Sequence, residues 1–135
     1  MSLVGKNAIV TGGASGIGLA ACRRLAHDGA GIAVWDIDEA GAQRAAAELV
    51  AAGGRAIACR VDVSSRVQVH AGLQRVHAEL GSVQILVNNA GITSFRPFLE
   101  VTEEEWDRIM SINLKSMLVC TQAVLRTCSR PTGDA

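Results

Sequence analysis

Thr11-Gly12-Gly13-Ala14-Ser15-Gly16-Ile17-Gly18 follows directly on the apolar run Asn7-Ala8-Ile9-Val10 and opens a segment in which Ile17, Ala20, Ala21 and Leu25 recur at helical steps. A short apolar run that ends in glycines predicts a strand buried on both faces over 7–11. The recurrence predicts a helix from Gly16 to His27, with Gly29 as its stop signal. Glycines between the two let the backbone turn tightly and come close to an anion, which the free N–H groups and positive end of the helix would hold. Gly12, Ser15, Gly16, Ile17 and Gly18 are therefore candidate binding residues. The rival reading is a glycine-rich turn with no ligand, and what lies downstream decides between them.

Ile32-Ala33-Val34-Trp35 is a second buried strand ending at Asp36, followed by Asp38 as candidate N-cap and an Ala-rich helix that stops at Gly53-Gly54. Ala56 to Val61 makes a third strand ending at Asp62. Ser64 or Ser65 caps a helix with Val69, Leu73, Val76 and Leu80 on one face, and Gly81 closes it. Gln84-Ile85-Leu86-Val87 is a fourth strand, ending in Asn88-Asn89-Ala90-Gly91. After a loop, Thr102 and Glu105 form a T-x-x-E capping box for a last helix, along which Trp106, Ile109, Met110, Asn113, Met117 and Val124 share a face by spacing. Strands alternating with helices, too apolar to face water, predict an α/β protein with a parallel sheet and helices on both sides. Right-handed crossovers give strand order 3-2-1-4, the Rossmann-like doubly wound arrangement, here incomplete because that fold continues to six or more strands.

Asp36 stands at the end of the second strand, eighteen residues after Gly18. A carboxylate there accepts both hydroxyls of an adenosine ribose and repels a 2′-phosphate, so a dinucleotide, with NAD favoured over NADP, is the expected ligand. No Arg or Lys stands at Ser15 or Ile37 to neutralise such a phosphate. Asp36 as a helix cap is the weaker reading, since Asp38 is better placed. For Asp62, with Val63 beside it, an adenine contact and a helix cap stand equal.

Thr-Gly-x-x-x-Gly-x-Gly, Asp62-Val63, Asn88-Asn89-Ala90-Gly91 and Asn113, in this order and spacing, resemble the short-chain dehydrogenase/reductase family over residues 3 to about 125. Gly91-Ile92-Thr93 and Glu105-Trp106 through Asn113 resemble its 3-oxoacyl-carrier-protein reductase and cyclic-alcohol dehydrogenase branch. The resemblance implies an NAD(P)-dependent oxidoreductase that moves a hydride between a secondary alcohol and a ketone. It implies that Gly12, Ser15, Ile17 and Gly18 line the pyrophosphate, Asp36 the adenosine ribose, Asp62 and Val63 the adenine, and Asn89, Ala90 and Gly91 the second ribose. It also implies that Asn113 positions water in a proton relay to a catalytic lysine. Read from the residues alone, an amide in that apolar stripe more simply bonds a neighbouring backbone group. The stripe further resembles the helix that builds the family's dimer interface, which implies a homo-oligomer.

The chain departs from the family in one composition fact: its 135 residues contain no tyrosine. Family members use a Ser, a Tyr and a Lys after a fifth strand, and none of the three is assignable here. The expected state is a cofactor-binding half that is inactive alone, with the alcohol or ketone substrate bound only by a complete enzyme. After Leu125 the text ceases to follow the family. With one compatible set of codons supposed for 126–135 and one cytosine restored before them, the frame reads Pro-His-Met-Gln-Gln-Ala-Asp-Trp-Gly-Arg, a family-like continuation, so a one-nucleotide frameshift is the expectation that sequencing the gene tests. A fourth strand left at the edge predicts marginal stability and self-association. The alternative to an enzyme fragment is a non-catalytic nucleotide-binding or interaction module.

Composition sets the remaining bounds. Thirteen Lys+Arg against thirteen Asp+Glu give zero net charge, and 49% of residues are hydrophobic, which fits one globular domain and supplies no basic surface for nucleic acid. Apolar stretches are broken within a few residues, so no membrane span is expected, and Met1 to Lys6 carry no secretory signal. The cytoplasm is the expected location. Cys22, Cys59, Cys120 and Cys128 form no C-x-x-C pair, and His27, His70 and His77 have no ligand-like company, so no metal is expected.

Overall fold

The computed structural model describes residues 1–128. Four parallel strands, β1 (Asn7–Thr11), β2 (Gly31–Asp36), β3 (Arg55–Arg60) and β4 (Ile85–Val87), are ordered β3-β2-β1-β4. The intervening helices are α1 (Gly16–His27), α2 (Glu39–Ala51) and α3 (Arg66–Glu79), and α4 (Glu103–Met110) and α5 (Ser116–Cys128) follow β4. Ala8, Ile9 and Val10 at the sheet centre are fully buried, and register runs Ile9↔Ala33 toward β2 and Ile9↔Leu86 toward β4.

Alternation along the strands divides the core in two. Ile9, Ala33, Trp35 and Cys59 face the layer of α3 and α5, meeting Val69, Leu73, Val76, Val119 and Cys120. Ala8, Val10, Ile32 and Val34 face α1 and α2, meeting Cys22, Ala42, Ala45, Ala46 and Leu49. The largest fully buried side chain is Trp35, and Gly72 lets α3 approach it: a Cβ there would lie 2.7 Å from Val61 Cγ2 and 3.1 Å from the indole. At the N-terminal edge of the sheet the Asn7 amide donates to Leu80 and Ser82 carbonyls and accepts from Arg55, tying β1 to the turn before β4 and to β3.

The strands and first helix fall where the sequence puts them. The last helix does not run unbroken: residues Ser111–Lys115 form a π-turn between α4 and α5. The extra residue rotates everything downstream, so the expected single stripe splits. Val124 is buried, whereas Trp106 and Met117 stay 52% and 43% exposed, and the buried face of α5 is Ser116, Val119, Cys120, Ala123 and Val124. Thr102 does cap α4, accepting from Glu105 N at 3.2 Å, but Glu105 turns to Arg96 (3.4 Å) instead of reaching back. β4 forms one edge of the sheet among the described residues, as expected, and is shorter than the expected 84–87 and only half-buried. Residues 129–135 of the divergent tail lie outside the described residues.

Candidate functional site

β1 delivers the chain into the glycine-rich turn at the C-terminal edge of the sheet, beside the ends of β2 and β4. Gly12 (φ +64°) and Gly16 (φ +54°) take left-handed backbone conformations that side chains disfavour. Gly18 is required by proximity: a Cβ there would sit 2.0 Å from the Gly12 carbonyl oxygen and 2.6 Å from Asn89 Nδ2. Ser15 occupies the N-cap of α1 in extended backbone, yet its hydroxyl makes no capping bond. The orphan N–H groups of the first turn are thus left uncapped by side chains, beside exposed Ser15, Gly16 and Ile17.

The Asp36 carboxylate is fixed by two backbone donors: Ala14 N to Oδ2 and Asp38 N to Oδ1, each at 3.0 Å. Both bonds hold it at the mouth of the turn rather than on a helix end, and Asp38 itself caps α2 by accepting from Gly41 N. At the end of β3, Asp62 Oδ1 accepts from Ser64 N (2.9 Å) and Ser64 Oγ (2.6 Å), while Ser65 caps α3 through Gln68 N. Asp62 is therefore a turn-former that lines the same cleft, not the cap of α3.

Thr11 joins the third wall. Its hydroxyl donates to Val87 O (3.3 Å) and accepts from Asn89 N and Ala90 N (both 3.0 Å), and Asn89 Nδ2 donates to the Thr11 and Gly12 carbonyls at 3.1 and 3.2 Å. Asn89 thereby supports the glycine turn from beneath, with its amide already engaged. Asn113, inside the π-turn, makes a two-pronged bond to Ile92: Oδ1 accepts from Ile92 N and Nδ2 donates to Ile92 O, each at 2.7 Å. That is the backbone-pairing role read from the residues alone. It fixes the segment after Gly91, and a Cβ added to Gly91 would lie 3.3 Å from Asn113 Oδ1.

These walls enclose one crevice of ≈ 440 Å³, lined by Gly12, Ser15, Gly16, Ile17, Asp36, Asp62, Val63, Asn89, Ala90 and Gly91 among others. Gly18 is buried beneath it, and Asn113 acts behind its wall through Ile92. Five further lining residues were not singled out from sequence: Ile37, Val61, Ile92, Arg108 and Ile112. Ile37 and Val61 adjoin residues that were, and adjacency was the available signal. Arg108 and Ile112 reach the crevice only because α4 folds back across the sheet edge, which no local pattern announces. The arrangement fits an adenosine diphosphate moiety: a close backbone approach that a Cβ would fill, uncapped amides, an oriented carboxylate and an apolar slot. Among the described residues no group of three His, Cys, Asp or Glu is placed to hold a metal ion.

The thiols take no part. Burial pushes Cys22 up to about 12 and Cys120 up to about 11, and raises Cys59, while Cys128 is exposed. No helix is long and apolar enough to cross a membrane among the described residues.

Residues 6–134 match the short chain dehydrogenase family. An uncharacterized oxidoreductase of Methylorubrum extorquens is 42% identical over 122 residues, 90% of this chain and 49% of that protein. A 3-oxoacyl-(acyl-carrier-protein) reductase of Chlamydia muridarum is 39% identical over 92% of this chain and 50% of its own length. Among solved structures, a dehydrogenase/reductase from Sinorhizobium meliloti 1021 superposes with a TM-score of 0.88 at 38% identity, covering 93% of this chain and 50% of that one. The chain spans about half the length of the curated relatives it matches.

Proposed function

The chain belongs to the short-chain dehydrogenase family, and from that premise we propose that it carries the adenosine- and pyrophosphate-binding part of an NAD-dependent oxidoreductase acting between a secondary alcohol and a ketone. The single observation that carries the reading is Asp36, held at the mouth of the glycine turn by Ala14 N and Asp38 N. So oriented, it accepts the two hydroxyls of a ribose and opposes a 2′-phosphate, which supports NAD over NADP. The first-turn amides at Ser15, Gly16 and Ile17 hold the diphosphate, with Gly12 and Gly18 making room. Asp62 and Val63 border the adenine, and Asn89, Ala90 and Gly91 the second ribose. NAD when bound supplies the hydride acceptor. Asn113 is a positioning residue that sets the Ile92 backbone for the relay of the complete enzyme.

The 135 residues hold no tyrosine, so the proton transfer that accompanies hydride transfer is not theirs to perform. On this reading they bind cofactor and do not turn over substrate by themselves. Exposed Trp106, Leu114, Met117 and Leu118 support a homo-oligomer through the α4–α5 face. Four free cysteines support the reducing cytoplasm as its location. Calorimetric titration with NAD, NADH and NADPH tests the reading: saturable binding that prefers the non-phosphorylated cofactors supports it, and absence of binding overturns it.

A further inference from the structure

Resting on that cofactor reading, we propose that Arg108 covers the adenine, its guanidinium lying against the ring's outer face. Among the described residues it is the one cationic side chain on the crevice wall, and it makes no side-chain hydrogen bond or ion pair there. The two carboxylates of the same crevice are by contrast both held by local donors. Arg108, in the last turn of α4, and Ile112, in the π-turn that follows, both line the crevice. Ile112 packs against the core layer of α3 and α5, the layer that also holds Val61 and Val63. This places the α4 segment on that layer, across the sheet from α1, and Arg108 lines the same crevice as Val61, Asp62 and Val63 after β3.

An apolar lining that includes Val61, Val63 and Ile112, with Asp62 beside it, suits a purine. An unpaired guanidinium at its rim is a plane that stacks on a π face while keeping its N–H groups in water. A lysine there would bring charge without the plane. A diphosphate contact is the competing role, and it predicts a different response to salt.

The test titrates the full 135-residue chain with ADP and with inorganic pyrophosphate at low and high salt, for the native protein, Arg108→Met and Arg108→Lys. Far-UV circular dichroism and the urea midpoint serve as controls and are expected unchanged, since the side chain has no partner to lose. The proposal expects ADP affinity to fall roughly three- to fivefold in R108M at both salt concentrations, only partial recovery in R108K, and pyrophosphate binding unmoved. Unchanged ADP affinity in R108M overturns it. So does a loss that R108K fully restores and high salt abolishes, because that assigns Arg108 to phosphate. A native chain that binds no ADP fails the cofactor reading itself, a result separate from either.

Discussion

Replacing Gly18 by alanine tests the glycine turn at its tightest point. The new Cβ would sit 2.0 Å from the Gly12 carbonyl oxygen, about 1 Å inside the closest approach that Cβ atoms make, and 2.6 Å from Asn89 Nδ2. Neither neighbour is a flexible side-chain end free to swing away. The carbonyl is backbone, and the Asn89 amide is spanned between Thr11 O and Gly12 O. Relief therefore demands that the turn lift off β4, at about 1–3 kcal/mol for forced repacking plus about 1 kcal/mol for the hydrogen bond given up. Gly53→Ala supplies the opposite case: Gly53 has a positive φ (+90°), which Gly18 does not, and nothing lies within 4 Å of its added Cβ, so only the backbone conformation is charged, about 1 kcal/mol. Urea unfolding of both variants measures the difference, and ADP titration of the folded fraction measures the site. Gly18→Ala is expected to lose about 2–4 kcal/mol and at least tenfold in ADP affinity, with Gly53→Ala binding as the native chain does. A Gly18→Ala protein no less stable than Gly53→Ala, with native ADP affinity, would refute the close-approach argument.

Asp36→Ser removes the charge that opposes a 2′-phosphate, and the ratio of NADP to NAD affinity should rise about ten- to hundredfold, read by calorimetry. An unchanged ratio would mean that Asp36 does not face the ribose. Thr11→Val keeps the shape but strips the acceptor from Asn89 N and Ala90 N; a loss of about 2–4 kcal/mol in urea unfolding is expected, and a loss below about 0.5 kcal/mol would show the joint between β1 and β4 to be dispensable. Burial raises Cys22 to about 12 and Cys120 to about 11, so the native chain keeps these thiols protonated while the unfolded chain ionises them near its ordinary value. Stability is thus full below about pH 9 and falls above it, by up to about 1.4 kcal/mol per pH unit per thiol, until the native thiols ionise in turn. Only Cys128 should react with a thiol reagent in the native state; rapid modification of two or more cysteines would contradict the burial.

The strands were legible because each is a run of small or branched apolar residues ended by glycine, aspartate or asparagine, a pattern read without knowing any contact. The glycine turn and Asp36 were legible for the same reason, since turn, helix start and strand-end acid are local features set at fixed spacing. What escaped depends on contacts across many residues. The π-turn at Ser111–Lys115 accompanies the pairing of Asn113 with Ile92, twenty-one residues away, and once it forms, the helical spacing that joined Trp106 to Val124 no longer holds. Thr11 read as the last residue of a strand, and nothing in its neighbourhood announces that its hydroxyl organises Val87, Asn89 and Ala90. Arg108 looked like any polar helix residue until α4 was laid against the crevice.

The most direct test is an amide-resolved NMR titration of the 135-residue chain with NAD. The largest shifts should fall on Ser15, Gly16 and Ile17, with Asp36, Asp62 and Val63 following along one binding isotherm. Shifts confined to the outer groove between α2 and β3, or none at saturating NAD, would contradict a dinucleotide seated on the glycine turn.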